Sequence, residues 1–268
     1  MISLKRNNKG ELKEAIGLRK RKNSIYSTDQ SEPFKISRSK FGDFLTCERC
    51  FYLDRVRGLE QPKTPGWALN LAVDFLLKKE FDYYREIQQP HPIMKENNLN
   101  LIPFQHHEID NWRDSLRGGI SYLDKTTNLI IYGGPDDIWY DRESEELIVV
   151  DYKAQSKKIV IEKQQYLNDP FHQGYKLQMD TYVHILRKMG FKTANKSYFL
   201  VCNAEKTYEA FNAKLIFETK LISYEAKTDW IDESIKDMKK ILNSNELPNR
   251  NIHCENCAYL EQGGLIVN

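Results

Sequence analysis

The stretch that decides the fold reads GGPDD at residues 133–137 and is followed, after a short charged turn, by VVDYK at residues 149–153. Asp136 stands at the head of one apolar-alternating run, and Asp151 follows the apolar run 147–150. Because side chains alternate across a strand, Asp151 and Lys153 point to the same face. If the two runs pair as a hairpin through residues 141–146, we expect Asp136, Asp151 and Lys153 to converge on one spot.

Two carboxylates and one lysine at one spot suit metal-assisted hydrolysis of a phosphodiester. Carboxylates hold Mg²⁺ or Mn²⁺ by oxygen, and the ion activates water and stabilises the charge that develops on phosphorus. A lysine beside the ion orients the water or neutralises the transition state. The alternative is a solvated hairpin with a D-x-K pattern on its exposed side. Pro135-Asp136 and the uninterrupted apolar run before Asp151 favour the catalytic interpretation.

A second motif lies in the helical run 171–190 that follows the D-x-K strand. Gln178 and Tyr182 are four residues apart, so they share one helix face. They form either a polar helix edge or a pair that orients the scissile phosphate or Lys153.

These residues together resemble the PD-(D/E)xK nuclease superfamily, over residues 35–259. More narrowly they resemble its RecB-like branch, which includes the CRISPR-associated iron–sulfur nucleases. The resemblance implies that Asp136 and Asp151 are metal ligands and that Lys153 is the catalytic lysine. It also implies that Gln178 and Tyr182 form the helix motif of the family. It also implies the Tyr152 carbonyl as a further metal ligand. Asp136 is preferred over Asp137 because it follows Pro135 and keeps the family's glycine spacing.

The implied fold is α/β (α+β), with a restriction-endonuclease-like core in which helices flank a central mixed sheet. A helical N-terminal region and a cysteine metal site that joins the chain ends complete it. We expect residues 1–34 to form a flexible basic arm and residues 35–268 to form the nuclease-like domain.

One position departs from the RecB-like pattern. That branch usually carries a histidine on an early helix as a further metal ligand, and the corresponding run 70–77 has none. Asp74 is the candidate to replace it with an oxygen ligand, and Asn70 is the alternative. If neither does, the site holds one metal or is impaired.

Four of the five cysteines form two C-x-x-C pairs near the two ends of the chain: Cys47 and Cys50, Cys254 and Cys257. Such pairs predict a tetrathiolate metal site, against the alternative of unrelated buried thiols. A disulfide framework is not expected in a chain of this size without a secretory signal. Cys202 lies in an apolar run and is expected in the core.

Thiolates suit both zinc and iron–sulfur clusters. Cys47 followed by FYL at residues 51–53, with the C-terminal pair, resembles the iron–sulfur nucleases, which implies a 4Fe-4S cluster. Those enzymes usually place one cysteine early and three late, whereas this chain has two and two. Structural Zn²⁺ is therefore the competing expectation.

Composition describes an ordinary water-soluble chain of 268 residues, with 40% hydrophobic and 29% charged residues. We identify neither an apolar run of the roughly 20 residues that span a bilayer nor a signal peptide, so we expect a cytoplasmic protein. The formal net charge is +2, but eight Lys or Arg stand against two Glu in the first 22 residues. Such a basic block adds sequence-independent affinity for nucleic acid phosphates.

The element order predicted from periodicity is a helix at 37–55, a helix at 67–85 and irregular chain at 88–116. Strands follow at 129–132, 136–140 and 146–153, then a helix at 171–189. A strand at 196–202, a strand at 211–223 and a helix at 228–242 complete the order.

The leading hypothesis is a metal-dependent nuclease with nucleic acid, most simply DNA, as its partner. The first alternative is a catalytically weak or inactive nuclease-fold subunit that binds nucleic acid or assists assembly. A third is a zinc-stabilised interaction module with no nucleic-acid role.

Overall fold

The computed structural model describes residues 4–62, 66, 68–158 and 161–267. By its internal contacts the chain divides into two compact units. The first unit comprises residues 1–66, 123–130 and 232–268, and the second comprises residues 67–122 and 131–231. Each unit is described by itself.

The strands, in chain order, are β1 Phe34–Ser37, β2 Leu101–Pro103, β3 Ile120–Asp124, β4 Leu129–Gly133, β5 Asp137–Asp141, β6 Glu146–Gln155, β7 Lys196–Ala204 and β8 Phe217–Glu225. The α-helices are α1 Arg38–Thr46, α2 Glu48–Arg55, α3 Ala68–Glu86, α4 Pro92–Glu96, α5 Ile109–Arg113, α6 Lys163–Asn168, α7 Gln173–Lys188, α8 Ile231–Leu242 and α9 Glu255–Val267. Within the described ranges, every helix is too short or too polar to cross a bilayer.

A five-stranded mixed sheet of order β2-β5-β6-β7-β8 is the centre of the second unit. The hairpin expected from the opening stretch is present, since β5 and β6 pair antiparallel from Asp137↔Val150 to Asp141↔Glu146. β6 and β7 are parallel, and α7 lies between them in the chain. A parallel pair needs such a crossover, and both strands are buried along most of their length.

Aromatic and aliphatic side chains fill one face of this sheet. Phe81 of α3 is fully buried, and its ring lies 5.3 Å from that of Trp139 and 5.7 Å from that of Tyr152. Ile148 and Leu200 belong to the same cluster. This packing fixes α3 against β6 at Tyr152, whose two neighbours in the chain are Asp151 and Lys153 of the D-x-K motif.

The first unit contains α1, α2 and α9 and an aromatic core. The ring centroids of Phe44 and Phe51 are 5.5 Å apart in an edge-on contact. The Tyr52 hydroxyl donates a hydrogen bond to the Ser244 carbonyl at 3.0 Å, which links α2 to the chain just after α8. β1 and β4 adjoin in a three-stranded sheet of order β1-β4-β3.

The structure corrects several sequence-based boundaries. The strand expected at 129–132 is present as β4 in the three-stranded sheet, and the strand beside β5 on the side away from β6 is β2. Segment 88–116 was predicted to be irregular, yet it holds α4, β2 and α5, which are each too short to give a periodic pattern. The helix expected at 37–55 is two helices, because Cys47 has an extended backbone with φ −158°.

The helix expected at 67–85 is α3, although residue 67 lies outside the described residues. Strand β8 begins at Phe217, six residues later than predicted, and α9 was missed altogether. The division into an arm at 1–34 and a domain at 35–268 stays a prediction. Within 4–34 the structure has short bridges, such as Arg6↔Leu12, and one turn of 3₁₀ helix at Lys22–Ser24.

Candidate active site and metal centre

The β5–β6 hairpin brings the predicted carboxylates together. Continuing the register one step beyond Asp137↔Val150 sets Asp136 opposite Asp151. The Tyr152 amide donates to Asp136 Oδ2 at 2.7 Å, so the Asp136 carboxyl is held beside the D-x-K motif of β6. The geometry inferred from strand alternation is therefore present.

Close backbone approach explains the glycine before Pro135. A Cβ atom on Gly134 would lie 2.8 Å from the Ser115 Cα and 2.8 Å from its backbone nitrogen, a separation that real Cβ atoms do not show. Only glycine fits there without moving the backbone. The adjacent proline fixes its own φ, so the chain enters β5 with Asp136 in a defined position.

Asp136 has the most perturbed carboxyl group of the site. Burial and the charge of Asp151 together raise the pKa of Asp136 to about 8, and Lys153 only partly offsets them. Asp74 contributes a smaller effect in the same direction. Two carboxylates this close do not both ionise readily unless a cation joins them.

Lys153 lies against Asp151. Its Nζ forms an ion pair with Asp151 Oδ2, and Asp151 is fully buried. Burial by itself lowers the pKa of Lys153, but the charges of Asp151 and Asp136 outweigh it, so the pKa is raised. Lys153 is therefore an ammonium ion at neutral pH and cannot accept a proton there.

Asp74 projects from α3 into the same region. It lines a cavity of about 440 Å³ together with Asn70, Tyr152, Lys153 and Tyr175. One carboxylate oxygen, Oδ2, pairs with Lys78 Nζ at 3.0 Å. The other, Oδ1, is buried and has no hydrogen-bond partner within the described parts of the chain. An unpartnered buried carboxylate oxygen is costly, and a bound cation would satisfy it.

The helix motif of α7 contacts the carboxylate of Asp151 rather than Lys153. Gln178 donates from Nε2 to Asp151 Oδ1 at 2.7 Å and to the Tyr182 hydroxyl at 3.2 Å. Both side chains are buried. The two oxygens of Asp151 thus face Gln178 and Lys153, which fixes the plane of the carboxylate.

Tyr175 is a site residue that the sequence reading missed. Lys153 Nζ stands 4.6 Å from the centroid of its ring, a cation–π arrangement. Tyr175 precedes Gln178 by three residues and Tyr182 by seven, so all three lie on one face of α7. The signal was present in the sequence as an extension of the Q-x-x-x-Y spacing by one turn toward the N-terminus.

Asp137, the alternative to Asp136, has a different place. It is fully buried, and its carboxylate accepts from Arg85 Nη2 at 2.6 Å and from the Tyr152 hydroxyl at 3.0 Å. The indole nitrogen of Trp139 adds a contact at 3.3 Å. The charge of Asp137 is therefore neutralised inside the fold, away from the Asp136 carboxyl.

The donor set fits a hard divalent cation in its chemistry. Asp74, Asp136 and Asp151 offer carboxylate oxygens, the ligands that Mg²⁺ and Mn²⁺ prefer, and Asp74 Oδ1 is free to bind. They are spaced more loosely than the cysteines. Throughout the described segments, only the four cysteines place three or more ligand atoms of His, Cys, Asp or Glu within 4.8 Å of one another.

The four cysteines of the two C-x-x-C pairs meet in the first unit. Sγ–Sγ distances are 3.6 Å for Cys47–Cys257, 3.5 Å for Cys50–Cys254 and 3.4 Å for Cys50–Cys257. All four thiols are free. They form a possible metal site, as predicted. Cys202 lies apart from them, buried in β7 as expected.

Each C-x-x-C pair spans the start of a helix. Cys47 is the N-cap of α2 and Cys254 immediately precedes α9, while Cys50 and Cys257 lie in the first turns. Burial raises the pKa of Cys257 to about 11 and also raises that of Cys50. For Cys47, backbone hydrogen bonds outweigh burial and lower the pKa to about 7.

A comparison of the sequence with protein families agrees with this fold. The sequence profile of the PD-(D/E)XK nuclease superfamily matches residues 35–262. The chain belongs to that superfamily, and membership supports a nuclease that hydrolyses nucleic acid. The more specific resemblance to iron–sulfur nucleases stays a prediction.

Among solved structures, the chain is similar to a "Putative exonuclease" from Eubacterium rectale. The sequence identity is 14%, the TM-score is 0.40, and the match covers 84% of this chain and 87% of that one. No curated protein matches the chain significantly.

Proposed function

We propose that this protein is a Mg²⁺- or Mn²⁺-dependent deoxyribonuclease with its active site at the end of the β5–β6 hairpin. The observation that carries the proposal is the meeting of Asp136, Asp151 and Lys153 beside the cavity into which Asp74 projects. DNA as substrate follows the resemblance to the RecB-like branch.

In this proposal Asp136, Asp151 and Asp74 bind the divalent cation, with the Tyr152 carbonyl as a further oxygen ligand. When bound, the cation supplies Lewis-acid activation of water and of the phosphate. Asp74 occupies the helix position of the missing histidine. Its buried, unpartnered Oδ1 supports that role better than the side chain of Asn70, which is exposed.

Lys153 stabilises negative charge rather than removing a proton. Its ammonium ion is held between Asp151 and the Tyr175 ring, at the wall of the cavity. From there it can neutralise charge on the pentavalent phosphorus or orient the attacking water. A cation here also offsets the repulsion between the carboxylates and the phosphodiester backbone.

Gln178 and Tyr182 are positioning residues in this scheme. Gln178 fixes Asp151 by a direct hydrogen bond, and Tyr182 accepts a second bond from the same amide. The carboxylate is thereby pre-organised for a cation, which lowers the cost of assembling the site.

The decisive experiment measures cleavage of single- and double-stranded DNA and RNA with Mg²⁺, with Mn²⁺ and with EDTA. We expect metal-dependent cleavage of DNA that Lys153→Ala reduces by roughly 100- to 1,000-fold, the usual effect of losing one preorganised electrostatic group. Lys196→Ala, an exposed lysine at the start of β7, serves as the matched control and keeps full activity. Equal cleavage by both variants would place the activity elsewhere or in a contaminant.

A weak or inactive nucleic-acid-binding subunit is the second candidate. It is favoured by the early helix without histidine and by the loose spacing of the three carboxylates relative to the cysteines. This candidate predicts that DNA is retained in EDTA and that no substrate is cut with Mn²⁺. Binding without turnover across the whole substrate panel would replace the enzyme proposal.

A further inference from the structure

The spacing of the four cysteine sulfurs distinguishes a site for a single metal ion from a site for an iron–sulfur cluster. In a tetrahedral zinc tetrathiolate, Zn–S bonds of about 2.3 Å place the sulfurs about 3.8 Å apart. Three of the Sγ–Sγ separations here are 3.4, 3.5 and 3.6 Å, and all four sulfurs lie within 4.8 Å of one another. The sulfurs therefore surround a space that matches one tetrahedral ion after a small expansion.

A 4Fe-4S cluster, which the resemblance to iron–sulfur nucleases implies, does not fit the same space. Each thiolate of such a cluster binds a different iron, and the core of iron and sulfide ions stands between the thiolates. Sulfurs at 3.4–3.6 Å touch one another and leave no room for that core. Accommodating it would require the sulfurs to move apart, by rotation of the cysteine side chains or by separation of the helices that carry the two pairs.

Contacts around the cysteines hold those helices together. Arg49 of α2 forms an ion pair with Glu261 of α9 at 2.5 Å and donates to the Pro248 carbonyl at 2.9 Å. Asn251 donates to the Thr46 carbonyl at 2.8 Å, beside Cys47. These polar contacts link the same two segments on either side of the thiols, so separating the helices would break them.

Helix polarity also suits a tetrathiolate. The thiols sit at the N-terminal ends of α2 and α9, where backbone N–H groups and the helix dipoles stabilise negative charge. Four thiolates around one divalent ion carry a net charge of about −2, which this setting favours.

We propose that Cys47, Cys50, Cys254 and Cys257 bind a single zinc ion. Zinc is chosen over a lone Fe²⁺ because it binds a given set of ligands more tightly in the divalent series and imposes no geometry of its own. The ion fastens α2 to α9, whose cysteines are more than 200 residues apart in the chain. This proposal is independent of the nuclease proposal, since a protein unable to cleave DNA would still bind zinc.

The test is metal analysis of full-length protein purified without oxygen from cells supplied with both iron and zinc. We expect about one zinc per chain, no iron, no acid-labile sulfide and no absorbance above the protein bands in the visible range. Replacing zinc by Co²⁺ should give the intense sulfur-to-cobalt charge-transfer bands of a tetrahedral thiolate site.

The variant Cys257→Ser should lower zinc affinity at least tenfold, whereas Cys202→Ser should leave it unchanged because Cys202 is buried in β7, apart from the cluster. If Cys257→Ser fails to fold, the cobalt spectrum and metal content of the unaltered chain still decide. Iron with equal sulfide, one iron without sulfide, or no bound metal at all would each overturn the zinc assignment.

Discussion

The two candidate metal sites of this protein differ in the charge of the side chains that they bring together. The cysteine sulfurs lie 3.4–3.6 Å apart, and burial raises the pKa of Cys50 and Cys257, so these two thiols stay neutral and tolerate close contact. The Asp136 carboxyl group faces the charge of Asp151, which together with burial raises the pKa of Asp136 to about 8, and the ammonium ion of Lys153 partly offsets this effect. The thiols meet as largely neutral groups, whereas the two carboxyl groups meet with a proton on Asp136 and an ammonium ion beside Asp151.

A second contrast concerns two adjacent aspartates. Asp137 is neutralised by Arg85 and hydrogen-bonded by Tyr152 and Trp139, whereas Asp136 accepts one backbone hydrogen bond and faces Asp151. Alternation along the strand sends these neighbours to opposite sides. One carboxylate therefore serves stability, and we propose that the other serves chemistry.

The largest effects are expected when a proposed metal ligand, Asp151, and the structural aspartate, Asp137, are each replaced by asparagine. Asp151→Asn should reduce cleavage roughly 1,000-fold or more while the protein stays folded, because it removes a proposed metal ligand. Asp137→Asn should instead cost about 3–5 kcal/mol of unfolding free energy, because it leaves buried Arg85 without its counter-charge. Denaturant unfolding and DNA cleavage of both variants test this. Unfolding by Asp151→Asn together with a stable, inactive Asp137→Asn would reverse the assignment.

The next effect concerns the thiolate site. Removing its metal with a chelator, or substituting Cys50→Ser, should lower the free energy of unfolding by several kcal/mol, since structural zinc contributes folding energy on the order of 10 kcal/mol in small domains. Thermal unfolding with and without added Zn²⁺ measures it. A melting temperature that does not respond to chelator would mean that the contacts of Arg49 and Asn251 hold α2 and α9 without a metal.

A smaller effect is expected for Gln178. Gln178→Ala should slow cleavage about 10- to 100-fold, the usual effect of removing a group that orients a metal ligand. It should also raise the Mn²⁺ concentration needed for half-maximal activity, and Gln178→Glu, which cannot donate to Asp151 when ionised, should not rescue it. Unchanged metal dependence would indicate that Gln178 contacts substrate and leaves Asp151 unaffected.

The smallest effect is a pH dependence. The pKa of Asp136 in the folded, metal-free protein is raised to about 8, so it holds a proton at neutral pH. Its stabilising contribution is full below the unfolded pKa, near 4, and is lost as the pH rises through 8. A cation must displace that proton, so Mn²⁺ affinity should rise up to about tenfold per pH unit until about pH 8 and then level off.

Calorimetry of Mn²⁺ binding in two buffers of different ionisation enthalpy measures the proton released on binding. Asp136→Asn is the matched variant, and it should bind Mn²⁺ more weakly without the pH-dependent proton release. Proton release that persists in this variant would assign the titration to another group.

The local sequence was sufficient for much of the fold around the site. Period-2 alternation and the turn at 141–146 predicted the β5–β6 hairpin, and the apolar run before Asp151 predicted a buried strand. It also predicted the strand at 129–132, which is present as β4, but not the sheet to which that strand belongs. Pairing partners are distant in the chain, so periodicity carries no information about them. Segments as short as α4 and β2 leave no periodic signal.

The sequence by itself determined the kinds of side chain at the two candidate sites: carboxylates and a lysine around one hairpin, a glutamine and tyrosine on one helix face, and thiols in two C-x-x-C pairs. The tertiary structure decided which member of each set has which neighbour. Arg85 pairs with Asp137, which leaves Asp136 to face Asp151. Tyr175, one turn before Gln178 on α7, lies against Lys153. The approach of α2 to α9 sets the Sγ spacing. Those distances depend on packing between segments far apart in the chain, and residue types and spacings do not encode them.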